Sequence, residues 1–289
     1  MNSVSSIFVR TDQTVSVAER NRTLSPQQSL FTLVLAAGAL ALVCAMIEPI
    51  PQPQWYHQFT DRRSFLGIPN FGDVASNLPF AVIGSWGLVF LLRSRVRPDA
   101  KVFLDAREQW PYLFVFAGLL LTAFGSAYYH LAPGNSRLVC DRLPMTITFL
   151  SLVAAVIAER IHIRLGIWLL PVLLLVGQVS VLQWYWSETK GRGDLRFYAA
   201  VQAFSALVIL LAILFPRRYT RTADFGLVAG FYVLAKALEL LDKPVFAVLH
   251  VVSGHTLKHL VAAAAGYCIL RMLQKRKPIT STSNAVRRI

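Results

Sequence analysis

Charge is what this chain has least of. Asp, Glu, Lys and Arg make up 15% of its 289 residues, against about 25% in an ordinary soluble domain. Acidic residues are the scarcest of these, 15 against 29 Lys and Arg. Cysteine is nearly absent too: Cys44, Cys140 and Cys268 are odd in number and form no C-x-x-C pair, so they point to no cysteine-based site. No basic patch is interleaved with aromatics, which excludes nucleic acid as the explanation of the +14 formal charge. No long polar stretch separates the apolar runs, so no soluble domain fits between them.

Apolar residues fill the space. They make up 55% of the chain, mean hydropathy is +0.51, and nearly charge-free stretches long enough to cross a bilayer recur throughout. The expected fold class is an all-α integral membrane protein. The pattern predicts eight membrane helices, near Ser29–Pro49, Asp73–Leu92, Pro111–His130, Asp141–Ile161, Leu165–Trp184, Leu195–Phe215, Phe225–Leu241 and Leu249–Leu273. The first is long for a signal peptide and lacks a short basic leader, so it reads as a retained helix. Residues 1–28 read as a flexible tail, and the basic stretch 274–289 as a second one.

Lys and Arg distribute unevenly across this topology. Nineteen fall on the side of the two termini and eight on the other, with Lys236 and Lys258 inside helices. The positive-inside bias then places both termini in the cytoplasm. Trp55, Tyr56, Trp184, Tyr185 and Trp186 sit near the opposite helix ends, where an aromatic belt is expected.

The polar residues that remain inside the helices are costly in lipid and therefore functional candidates. His255 and His259, in S-G-H-T-L-K-H-L, are four apart and share a helix face. Ser126 and His130, in F-G-S-A-Y-Y-H-L, repeat that spacing at the end of the third predicted helix, and Asp141 opens the fourth. Asp141 also suits an N-cap, with Pro144 in the first turn. In the predicted topology these groups, with Asp73, Ser76 and Asn77, share one depth on the non-cytoplasmic side. Three histidines are the ligand set of a catalytic zinc with one position left for water, whose pKa falls to about 7 on the metal. Asp141 suits the general base and Ser126 an oxyanion donor. His57, His162 and His250 read as structural or solvated. Lys258 reads as pointing away from the histidine face and snorkelling outward, and Lys236 with Glu239 as a pair.

The spacing S-x-x-x-H, Asp141 eleven residues later and H-x-x-x-H in the last helix resembles the alkaline ceramidase family, part of a superfamily of seven-helix membrane hydrolases that includes the adiponectin and progestin receptors. The segment G-I-P-N-F-G-D-V-A-S-N-L-P-F, residues 67–80, is similar to the run that opens the first core helix there. The resemblance covers residues 61–273. It implies a seven-transmembrane-helix bundle with residues 29–49 as an extra N-terminal helix. It also implies a zinc-dependent amidase cleaving the N-acyl bond of ceramide or a related sphingolipid to a sphingoid base and a fatty acid. By that similarity His130, His255 and His259 hold the metal, Asp141 activates water and Ser126 assists the tetrahedral intermediate. The family's calcium site is acidic; here Asn70 stands where a glutamate is expected, which weakens the expectation of calcium and leaves Asp61, Asn70 and Asp73 as candidates for a second ion. The expected partner is a lipid substrate, with no nucleic acid. The alternative is a metal-containing receptor or lipid sensor without turnover.

Overall fold

Ser25 starts the first helix by a reciprocal cap: its hydroxyl accepts from the Gln28 amide while the Gln28 side chain accepts from the Ser25 amide, with Pro26 in the first turn. Helix α1, Pro26–Met46, therefore begins a few residues before the predicted boundary. The computed structural model describes residues 23–96 and 102–279; most of the expected N-terminal tail and residues 280–289 lie outside the described residues, as do Arg97 and Lys101.

Nine further helices follow: α2 Phe71–Ala75, α3 Leu78–Val96, α4 Gln109–Leu131, α5 Asn135–Arg160, α6 Ile163–Thr189, α7 Arg196–Leu211, α8 Ala223–Leu240, α9 Asp242–Leu249 and α10 Gly254–Lys275. Among the described residues there is no strand, only two isolated bridges. Six spans are long and apolar enough to cross a membrane, or seven if α9 and α10, bent by 105°, count as one. The expected seventh helix, Phe225–Leu241, is present as α8, but its eighteen residues hold Asp224, Lys236 and Glu239. Those charges are paired, Asp224 with Arg221 and Glu239 with Lys236 and Lys258.

The last span also departs from the predicted unbroken helix. His250 adopts a left-handed conformation and ends α9, and Ser253 starts α10 by accepting from the Thr256 amide. Gly254 lies against the Leu238 carbonyl so closely that a Cβ would sit 2.4 Å from it. A side chain there would force α10 off α8.

Helix α5 is the centre of the bundle, with Leu150–Ala158 buried on every side. Helix α1 is peripheral; only Ser29 and Leu33 are buried, while Phe31, Val34, Leu35, Leu42 and Met46 are exposed. Trp168 and Leu175 on α6 and Val233 and Leu240 on α8 are likewise exposed, a surface more apolar than a water-soluble monomer tolerates. The expected loose tail beyond Gln274 is instead tied down as far as Ile279. Arg276 is buried, pairs with Glu159 at 2.6 Å and packs over Tyr219, and the Lys277 amide donates to Thr220.

Candidate metal centre

His130 closes the last turn of α4, and His255 and His259 occupy the first two turns of α10. The three rings are buried and face one another, with centroids 4.9, 4.9 and 5.0 Å apart. One nitrogen from each lies within 4.8 Å of the other two. Among the described residues this is the one group of three or more His, Cys, Asp or Glu side chains placed to share an ion.

The hydrogen bonding says which nitrogens are free. His130 Nδ1 and His255 Nε2 are buried with no partner, and buried polar atoms left so are rare enough to need an explanation. At His259 the neighbouring bonds decide the tautomer. Ser76 Oγ donates to the Asp73 carbonyl at 3.0 Å, so it must accept from His259 Nδ1–H at 2.8 Å. That leaves the Nε2 lone pair unprotonated, as a metal ligand requires. The residues present therefore fit a metal ion bound by three neutral imidazoles.

A ring of supporting contacts holds the histidines in place. Phe59 packs against His130 and His255 at 4.6 and 4.5 Å. Asp242 accepts from the His255 amide at 2.8 Å and from the Thr60 amide at 3.0 Å, fastening the Phe59 segment over α10. The Asn70 side chain donates to the His130 carbonyl at 2.8 Å. His57 is structural, held between Tyr129 and Asn135. His162 caps α6, whereas His250 ends α9 and does not start a helix. Phe59 carries no sequence signal, since an aromatic in a loop has no periodicity to betray it.

Asp141 lies in the second turn of α5, not at its cap, because the helix already starts at Asn135. Ser126 from α4 neighbours its carboxylate, and the two line the same cavity. Gly125 makes that contact possible: a Cβ there would lie 2.0 Å from the Cys140 carbonyl oxygen, so α4 and α5 touch backbone to backbone. Gly125→Ala is expected to push the helices apart, lowering stability by about 1–3 kcal/mol as overpacked sites do and separating Ser126 from Asp141. A thermal unfolding curve and an activity assay on that variant check both effects; an unchanged melting temperature would show that the close approach is dispensable.

Ser126, Asp141 and His259 line one end of a cavity of about 320 Å³. From there the walls become apolar along three helical stripes: Thr122 and Leu119 on α4, Met145 and Leu152 on α5, Ala262 and Ile269 on α10. Ten residues separate His259 from Ile269, so the cavity reaches roughly 15 Å down the bundle at about 1.5 Å per residue.

Several polar residues reach this cavity against the sequence reading. Lys258 does not snorkel outward; it pairs with Glu239 at 2.9 Å and lines the cavity. The reason is helical: position i+3 from His255 shares its face. Glu239 also accepts from Tyr56 at 3.1 Å and pairs with Lys236. Arg142, counted among the loop charges, is buried against Trp184 and Tyr198. Of the expected aromatic belt, Trp55 and Trp186 are exposed while Trp184 is core.

The candidates for a second ion each have another partner, while Asp73 Oδ2 is buried with none. Asp61 binds Arg63 through both oxygens, at 2.8 and 2.7 Å, and that arginine holds its carboxyl below the usual carboxylate range. Asn70 is engaged with His130, and Asp73 Oδ1 accepts from Thr256 at 2.7 Å. No protein-family model matches the chain, and no curated protein matches it either.

Proposed function

We propose that this chain is a multi-pass membrane hydrolase of lipid amides, with His130, His255 and His259 as ligands of a zinc ion. One observation carries the reading: three buried histidines direct free nitrogens at one point beside the Asp141–Ser126 pair, at the head of an apolar cavity. The spacing of those five residues is that of alkaline ceramidases, so ceramide or a related N-acyl sphingolipid is the expected substrate.

The chemistry follows from the residues. His130, His255 and His259 would hold a zinc ion, which when bound would acidify water and polarise a carbonyl. Asp141 takes the proton of the attacking water and delivers it to the departing amine nitrogen, so that the C–N bond breaks to a free fatty acid and a neutral amine. Ser126, beside Asp141 in the cavity, donates to the carbonyl oxygen as charge builds there. The apolar stripes below His259 take the acyl chain and exclude water from it.

Metal analysis of the purified protein, together with fatty-acid release from a panel of N-acyl lipids, tests the proposal. Stoichiometric zinc and chelator-sensitive release are expected. A metal-free protein would overturn the site. A zinc-loaded protein that cleaves no N-acyl lipid would shift the reading to a lipid sensor.

In the membrane we place eight crossings, α1, α2 with α3, α4 to α8, and α9 with α10, with both termini cytoplasmic and the histidines toward the other face. A reporter after Ile289 is expected to be cytoplasmic, and a tag inserted at Pro133–Gly134 accessible from the opposite side. Labelling of both tags by an impermeant reagent from the same side would refute this arrangement.

A further inference from the structure

Arg142 is a buried cation that forms no salt bridge among the described residues. It is 5% exposed, and its Nη2 donates to the Gln52 side chain at 2.7 Å, a neutral acceptor, while Nη1 has no hydrogen-bond partner. The faces of Trp184, Tyr198 and Tyr56 surround the guanidinium at 4.1, 4.6 and 5.7 Å. Aromatic faces favour a cation but offer no oxygen to its N–H groups. The carboxylates nearby form no ion pair with it: Asp141 acts on it only through space, Glu239 pairs with Lys236 and Lys258, and Glu188 accepts from the Gln52 amide and Trp184. Arginine cannot shed its proton to escape burial, and a buried guanidinium nitrogen left without an acceptor is costly.

The cavity as a whole has an imbalance of charge. Arg142, Lys236 and Lys258 line it against the two carboxylates Asp141 and Glu239. The excess lies at the polar end: Arg142 follows Asp141 directly in α5, whereas the far end is closed by Leu152, Ile209 and Ile269. We propose that Arg142 is the subsite for an anionic group on the headgroup side of the substrate, a carboxylate or phosphate close to the amide. Its planar fork matches either anion with two parallel hydrogen bonds. This rests on the amidase reading and narrows it, from a neutral ceramide to an N-acyl lipid whose headgroup is charged.

The test compares lipids of one acyl chain: an N-acylglycine, a ceramide 1-phosphate and a neutral N-acylethanolamine, with the free fatty acid as a fourth ligand. Binding to the zinc-loaded protein in detergent is measured separately from turnover. The wild type is expected to bind at least one headgroup anion about tenfold or more tightly than the neutral lipid. R142Q should erase that ratio, and R142K should keep part of it, having charge without the fork. The two anionic lipids tell carboxylate from phosphate. Zinc content and monodisperse elution show that the variants are folded; should R142Q fail there, R142K and the wild-type ratio still decide.

No headgroup preference in the wild type would overturn the subsite. Equal losses for charged and neutral lipids in R142Q would do so too, reducing Arg142 to packing, and so would a preference for free fatty acid alone. If nothing is cleaved yet the Arg142-dependent preference stands, the amidase reading fails and the subsite survives.

Discussion

His255→Ala and His259→Ala are each expected to lose zinc and to lower lipid hydrolysis by more than about 10³-fold, since metal assistance is worth several kcal/mol and each 1.4 kcal/mol is about tenfold. Both histidines are buried, and with His130 they are the one group of three His, Cys, Asp or Glu among the described residues placed to share an ion. Two remaining imidazoles cannot hold the ion in a tetrahedral site with an open position. The variants should still insert, because the backbone hydrogen bonds of a membrane helix are closed within the helix itself. His57→Gln is the control: His57 is tied to Tyr129 and Asn135 outside the cluster, so this variant should keep its zinc. Zinc measured by mass spectrometry on the same preparations decides the matter. Full occupancy in both alanine variants would sink the three-histidine site.

Asp141→Asn is expected to keep zinc and lipid binding while turnover falls 10²–10⁴-fold, the range typical of lost acid–base catalysis. Asparagine matches aspartate in shape, so the α4–α5 contact at Gly125 should persist. What it cannot do is take a proton from water. Capping offers no competing explanation, because Asp141 lies well inside a helix that starts at Asn135. Kinetics and zinc content measured together separate the outcomes: near-normal turnover at full zinc would remove Asp141 from the reaction.

Much of the candidate site was legible because its signals are local. The four-residue spacing of Ser126 with His130, and of His255 with His259, states a shared helix face without reference to any other part of the chain. The failures share the opposite property. Lys258 was misdirected by assuming that a lysine in a span seeks water, when Glu239 on α8 supplied a nearer partner. The break at His250–Ser253 was hidden inside an apolar run whose composition suits one straight helix.

Composition and periodicity by themselves determined that the chain is helical, where most helices run, and which faces bear histidine. Those properties depend on backbone geometry repeating every few residues and on the cost of leaving polar groups in an apolar solvent. Tertiary structure alone decided that three imidazoles from α4 and α10 meet, that Phe59 from a preceding loop covers them, and that Arg142 is enclosed by aromatic rings with no salt bridge among the described residues. Each of these is a contact between residues far apart in the chain. They arise because glycine positions such as Gly125 and Gly254 let helix backbones touch, and the fit between two helix surfaces is written on neither one alone.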